Sequence, residues 1–392
     1  MGNAGPWRVA ANDFTRQWED LAADALAAVQ RVGASGRLIL GDEVAAFEAQ
    51  FAEWWGVTHA VGVASGTDAL EISLRCADLA PGDRVLTTPL TAFATALAIL
   101  RAGGTPVWCD VDDSGALDLD AAAAALARDD TIRAVVPVHL YGHPLSPAAL
   151  RALAAEHGVV VVEDCAQSAG AWRDGRPTGS AGRVSATSLY PTKNLGAMGD
   201  GGVVLTDDEA IAARARALRN YGQDRRDHHV EVGLNSRLDE LHAAILRSAH
   251  LPRLDGWLHR RAAIAERYAH ALEDSPFRPL RPTGGRSANH LFAIEVTAGR
   301  PEAAARGFAA AGVAVGRHYP VLCADQPACA DAGETVGELP VARRLAAREL
   351  SLPIHPYLTD EEVEHVIATC AALTATSVKG RDGTWPASPT RG

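Results

Sequence analysis

Short apolar runs alternate with alanine-rich helical stretches through the first 206 residues, and that alternation constrains the fold more than any other feature. The runs lie at 61–64, 84–88, 106–111, 134–140, 159–162, 184–189 and 203–206. Helical spacing of apolar residues fills the gaps at about 69–77, 95–102, 119–127 and 146–157. Strands separated by helices pair in parallel, and strands buried on both faces read as near-continuous valine and isoleucine. The chain is therefore predicted to be α/β, with a large domain around a mostly parallel central sheet. Two helices, at about 11–31 and 42–55, precede it. Ligands of such sheets bind beyond the carboxyl ends of the strands, so the polar residues there carry the functional argument.

A length of 392 residues suggests two domains. We place the large domain and its N-terminal helices at 1–250 and a smaller C-terminal α/β domain at 251–375. Residues 376–392 are polar and aperiodic and read as a disordered tail. A net charge of −11 without a basic cluster argues against a nucleic-acid surface. No apolar run is long enough for a membrane span, and the first residues lack the order of a secretory signal. Six cysteines without a CxxC pair read as reduced thiols of a cytoplasmic protein.

Of the 37 basic residues only two are lysines, Lys193 and Lys379, the second within the tail. A lysine amine can lose its proton and attack a carbonyl, whereas a guanidinium stays charged. Lys193 follows the run at 184–189, so amine chemistry is expected there, as a Schiff base with substrate or with pyridoxal phosphate. The plainer alternative is a surface-loop lysine. Ser65-Gly66-Thr67 ends another run and opens a helix, a pattern that suits an anion or merely starts a helix. Asp164 stands directly after a valine run, where a buried carboxylate needs a partner. A protonated pyridine nitrogen would serve, and so would the N-terminus of the next helix. Gln167 lies three residues on, and Ser188 closes the strand before Lys193.

Together these blocks resemble the DegT/DnrJ/EryC1/StrS family of sugar aminotransferases, over about 41–372. The matching segments are 64–70, 163–167, 190–196 with 199–202, 233–241, and His318-Tyr319-Pro320 with 351–354. The resemblance implies the aspartate-aminotransferase-like fold (PLP fold type I) and pyridoxal phosphate as cofactor. It implies that Lys193 forms the imine and moves protons, and that Asp164 pairs with the ring nitrogen. Gln167 would lie near the ring hydroxyl, and Gly66, Thr67 and Ser188 would hold the phosphate. Asn235 would join them from the second subunit of a homodimer. Where the family places an aromatic directly after a threonine this chain has Ala92, so Phe93, one residue later, is the candidate to stack on the cofactor. Tyr190, Arg225, His229, His318 and Tyr319 are candidates for substrate contact.

The remainder suits the second domain. A helical stretch at 236–272 should be kinked or split by Pro252. A strand at 290–296, a helix at 301–311 and a strand running into His318 follow. The last helix opens with a capping box, Thr359 to Glu362. His228-His229 has no second ligand pair at useful spacing, so no metal is expected and 221–232 reads as a solvated loop. The implied reaction is amino transfer from glutamate or glutamine to a nucleotide-linked (dTDP or UDP) keto-deoxysugar. The segments 218–222 and 235–240 lean toward C-3. Two alternatives stay open: a keto-inositol acceptor in aminocyclitol synthesis, and a non-catalytic regulator that holds the cofactor or a sugar nucleotide.

Overall fold

The computed structural model describes residues 7–379. Helices α1 (Phe14–Ser35) and α2 (Asp42–Trp55) lead into β1 (His59–Val63) and α3 (Gly66–Cys76). Then follow β2 (Arg84–Thr87), α4 (Phe93–Arg101), β3 (Thr105–Trp108), α5 (Leu119–Arg128), β4 (Ile132–Val136), α6 (Pro147–His157) and β5 (Val160–Asp164). A small hairpin, β6 (Trp172–Arg173) and β7 (Arg176–Pro177), precedes β8 (Val184–Ser188), β9 (Gly202–Thr206) and α7 (Glu209–Leu218). A second hairpin, β10 (Gln223–Arg225) and β11 (His228–His229), leads to α8 (Glu240–Ile245) and α9 (Leu254–Ala271). The rest is β12 (Phe277–Pro279), β13 (Phe292–Val296), α10 (Pro301–Ala310), β14 (Glu334–Thr335), α11 (Pro340–Arg348), β15 (Glu349–Leu352) and α12 (Asp360–Lys379).

Eight strands form one sheet in the order β1-β9-β8-β5-β4-β2-β3-β14. Only β9 is antiparallel to its neighbours, β1 and β8; the other pairs are parallel. The sequence pattern had announced this mostly parallel sheet. A second, antiparallel sheet joins β12, β13 and β15. It packs with α9, α10 and α12 around Phe277, Ile294, Phe308 and Val363. The two parts of the chain also exchange segments. Val9 bridges to Val313, and β14 extends the edge of the large sheet beside β3.

Helix starts follow local chemistry. Asp13, Ser65, Asp118, Ser146 and Asp208 each accept a backbone N–H in the following turn. Helix α2 starts after Gly41, which has no side chain to cap it. The Glu240 carboxylate replaces the cap, accepting from the N–H groups of Gly41 (2.8 Å), Glu43 (3.0 Å) and Val44 (2.8 Å). Thr359 and Glu362 cap reciprocally, at 2.8 and 3.2 Å, as their spacing had indicated.

Three expectations are corrected. The stretch 236–272 is split earlier than Pro252 alone requires: a π turn at Leu246–His250 and a 3-10 turn at Leu251–Arg253 separate α8 from α9. No strand runs into His318; the chain there is irregular and makes only isolated bridges, Val313 to Val9 and Gly316 to Ser351. Helix α12 continues to Lys379, past the boundary at 376, and residues 380–392 lie outside the described residues.

Candidate active site

Because β9 is antiparallel to both β1 and β8, and β5 is parallel to β8, strands β1, β8 and β5 all point the same way. Their carboxyl ends deliver Gly66, Ser188 and Asp164 to one rim.

At the end of β1, Ser65 Oγ accepts from the Asp68 N–H at 3.1 Å and caps α3. Among the described residues no acceptor meets the Gly66 and Thr67 N–H groups, which lie at the positive end of the helix dipole. Gly66 abuts Ser188 so closely that a Cβ would stand 2.6 Å from the Ser188 Cβ and 2.9 Å from its Oγ. Close approach, not backbone angle, demands glycine here. Asp68 would oppose an anion, but Arg101 (3.1 Å) and Ser236 Oγ (2.8 Å) draw its carboxylate aside. A cavity of about 230 Å³ begins here and extends past Ala92, Asp164 and Gln167 to Lys193.

Asp164 is buried at the base of that cavity. Its Oδ2 accepts from Thr95 Oγ1 at 2.8 Å and its Oδ1 from the Ala166 N–H at 3.0 Å. Thr91 Oγ1, 3.0 Å from Thr95 Oγ1, completes the chain of hydroxyls. The preceding residue, Glu163, points to the opposite face and is fully engaged. His139 Nε2 (3.1 Å) and the N–H groups of Gly179 (2.9 Å), Ala181 (2.6 Å) and Gly182 (3.1 Å) all donate to it. Burial alone would raise its pKa, but these donors hold it below the usual carboxylate range. His139, Glu163 and Cys165 lie within ligand distance of one another. The carboxylate is already saturated, however, and burial holds the Cys165 thiol well above its ordinary pKa, so this cluster is an anchor for the loop 179–182.

Lys193 sits in a turn after β8, its N–H bonded to the Tyr190 carbonyl at 2.8 Å. Desolvation lowers the pKa of its amine to about 8, with the Asp164 charge opposing. Beyond the lysine opens a second cavity of about 380 Å³, lined by Tyr190, His290, His318, Tyr319 and Ser351 among others. Gln167 borders both cavities. Its Oε1 accepts from the Tyr141 N–H at 2.7 Å, which turns Nε2 toward Tyr319 Oη at 3.3 Å. Asn194 ties the lysine turn to the C-terminal part, donating to the Ala288 carbonyl at 2.8 Å and lying 3.3 Å from His290 Nδ1. Arg261 braces the same wall by donating to the carbonyls of Asn289, His290 and Ile354.

Lys193, Asp164, Gly66, Thr67, Gln167, Ser188 and Tyr190 thus converge on the first cavity, and His318 and Tyr319 on the second. Four other candidates do not join them. Phe93 packs into the apolar cluster around Leu90, Trp108 and Tyr319, and Ala92 takes the place at the cavity wall. Asn235, Arg225 and His229 are exposed and border neither cavity. Thr95, His290 and Glu349 were not singled out from the sequence, and Ser351 entered only within the matching segment 351–354 without a role. A threonine inside an alanine-rich helix and a histidine before a strand carry no local signal of their role.

The donor set fits pyridoxal phosphate. An amine of depressed pKa stands at one end of the cavity, a fixed carboxylate at its base and a free helix N-terminus with a serine hydroxyl at the other end. The close Gly66–Ser188 contact brings the helix N-terminus and the serine hydroxyl together at that end.

The model of the DegT/DnrJ/EryC1/StrS aminotransferase family matches residues 19–371. The chain is 43% identical to the erythromycin biosynthesis sensory transduction protein EryC1 of Saccharopolyspora erythraea, over 92% of this chain and 98% of that one. It is 42% identical to the dTDP-3-amino-3,4,6-trideoxy-alpha-D-glucose transaminase of Streptomyces venezuelae, over 92% and 94%. Among solved structures, S. venezuelae DesV in complex with a ketimine intermediate superposes with a TM-score of 0.88 at 41% identity, covering 92% of this chain and 97% of that one. Its motifs, its site and these matches agree: the chain belongs to the DegT/DnrJ/EryC1/StrS aminotransferase family.

Proposed function

We propose that this chain transfers an amino group from glutamate or glutamine to C-3 of a nucleotide-linked keto-deoxysugar, with pyridoxal phosphate as cofactor. The amine of Lys193, its pKa lowered to about 8 between two cavities, carries this reading. Lys193 would hold the cofactor, with Gly66, Thr67 and Ser188 at the phosphate, Asp164 at the ring nitrogen and Gln167 at the ring hydroxyl. Bound pyridoxal phosphate supplies an aldehyde for amine exchange and a ring that accepts an electron pair. Lys193 Nζ, neutral in part near pH 8, takes a proton from the α-carbon of the amino donor and returns one during acceptor amination. Thr95 keeps the Asp164 carboxylate aimed at the ring nitrogen. The second cavity, walled by Tyr190, His318 and Tyr319, receives the donor and then the sugar.

The acceptor class and position follow the Streptomyces venezuelae relative, named for a dTDP-3-amino sugar. The intact lysine, aspartate and phosphate cradle weigh against a regulator that merely holds the cofactor. A second copy of the chain is part of the proposal. Asn235, Arg225 and His229 stand away from their own site, beside Val230 and Val232, which are 55% and 85% exposed. A partner covering this surface would take Asn235 to its own phosphate end. The six free, buried cysteines support a cytoplasmic setting.

An absorbance spectrum tests the reaction class. The visible band of lysine-bound cofactor should appear in the purified protein and bleach when glutamate or glutamine is added. Lys193→Ala should show neither the band nor turnover. No band after incubation with cofactor, or turnover near the wild-type rate in Lys193→Ala, overturns the reading. Amination of keto-inositol but of no nucleotide sugar would replace the acceptor.

A further inference from the structure

Behind the second cavity lies a buried carboxylate that the scheme above does not use. Glu349, the first residue of β15, accepts from the His318 N–H through Oε2 at 2.6 Å and from the Ser351 hydroxyl through Oε1. Ser351 Oγ also lies 2.8 Å from His318 Nδ1. Ser351 has one proton, and it is committed to Glu349. Ser351 must therefore accept from Nδ1, so His318 carries its proton on Nδ1 and presents a bare Nε2. Nε2 has no partner among the described residues, and His318 lines the cavity that contains Lys193.

We propose that Glu349, acting through Ser351, makes His318 the proton acceptor for the ammonium group of the incoming amino donor. Nε2 takes a proton from that ammonium, Nδ1 passes its proton to Ser351 Oγ, and Ser351 passes its own to Glu349 Oε1. Three protons each move one hydrogen bond. The donor becomes a neutral amine, the imidazole stays neutral, and the carboxylate becomes a carboxylic acid. The inference rests on the aminotransferase reading, because an amino donor arrives protonated and attacks only after losing that proton.

The surroundings favour Glu349 over His318 as the resting place of the proton. Burial, with Lys193 nearby, lowers the pKa of the His318 imidazole to about 4, so an imidazolium would be short-lived. Burial raises Glu349 to about 7, against the hydrogen bonds from Ser351 and the His318 N–H and the attraction of Arg317. The other groups facing it are the neutral phenols of Tyr141 and Tyr319. Glu295, opposite on β13, is engaged by Arg278 and Arg344.

Nitrogen-15 NMR of histidine-labelled protein, without substrate, tests the relay apart from turnover. The His318 signals are assigned by their loss in His318→Gln. Above a pH of about 7, where Glu349 is ionised, wild-type Nδ1 should be protonated and Nε2 bare. Below it the relay reverses and the proton should move to Nε2. In Glu349→Gln the amide oxygen must accept from the His318 N–H. Its NH2 then faces Ser351, Ser351 turns its proton to Nδ1, and His318 should carry its proton on Nε2 at every pH above about 4. Ser351→Ala should leave a mixture of tautomers, and Ser351→Thr should restore the wild-type state. In turnover, Glu349→Gln should lower kcat/KM for the amino donor at least tenfold and remove a pH limb near 7. The cofactor band should survive. A wild-type His318 protonated at Nε2 above pH 7, or a tautomer unmoved by Glu349→Gln, overturns the proposal. Loss of the band in wild-type protein would instead strike the parent reading.

Discussion

Replacing Gly66 by alanine should weaken cofactor binding without unfolding the protein. The new Cβ would meet Ser188 Cβ at 2.6 Å, its Oγ at 2.9 Å and its Cα at 3.1 Å. Ordinary contact between carbon atoms is about 3.5–4.0 Å, so the overlap approaches ~1 Å. The hydroxyl can rotate away, but Cβ and Cα belong to the end of β8. The start of α3 and the end of β8 must therefore part, and these elements carry the Gly66 and Thr67 N–H groups and the Ser188 hydroxyl. Overpacking of this kind costs about 1–3 kcal/mol, a loss of roughly 5- to 150-fold in affinity if it falls on the phosphate cradle. Titrating pyridoxal phosphate into cofactor-free protein and following the visible band measures it. Gly33→Ala is the control: a Cβ there meets nothing within 4 Å in helix α1, so that variant should be more stable by about 0.5–1 kcal/mol. If Gly66→Ala binds the cofactor within twofold of wild type, the cradle has been misplaced.

Two further perturbations probe the structure behind the site. Glu163→Gln should cost about 2–5 kcal/mol, nearly as much as Glu163→Ala. Both carboxylate oxygens face N–H donors, and the Leu145 N–H bonds to His139 Nδ1, so His139 donates through Nε2 and no amide orientation avoids a clash of donors. Urea unfolding checks this, and an unchanged midpoint for Glu163→Gln would refute the donor assignment. Acid should also destabilise the fold. Burial depresses His143, His250, His318 and His355 from 6.5 to about 4, so between those values the unfolded chain binds protons that the folded one refuses. That stability is present above about pH 6.5 and is lost as pH falls through about 4, up to roughly 3 kcal/mol per histidine. Glu349, raised to about 7, acts in the opposite sense between about pH 4.5 and 7, but one carboxyl opposes four imidazoles. A melting temperature flat between pH 6.5 and 4 would contradict the burial of these rings.

The sequence by itself determined the α/β class, because valine-rich runs between amphipathic helices can be buried only in a sheet covered on both faces. It also exposed Lys193, since arginine fills nearly every other basic position, and Asp164, since a carboxylate ending an apolar strand demands a partner. The cap at Thr359 and the helix start after Ser65 were legible because both sides of each contact lie within a few residues. Only the tertiary structure decided that β9 runs against its neighbours and so aligns β1, β8 and β5. Strand β15 stayed hidden because Glu349 opens it and Ser351 interrupts its apolar pattern, and the helix at 236–272 broke where it had to pack against α1 and α2. Thr95 meets Asp164 across 69 residues and Glu349 meets His318 across 31, so neither pair leaves a local trace. Periodicity and composition record which surfaces a segment must bury. The polar partner that closes a given hydrogen bond is chosen only once the chain has folded and brought distant segments together.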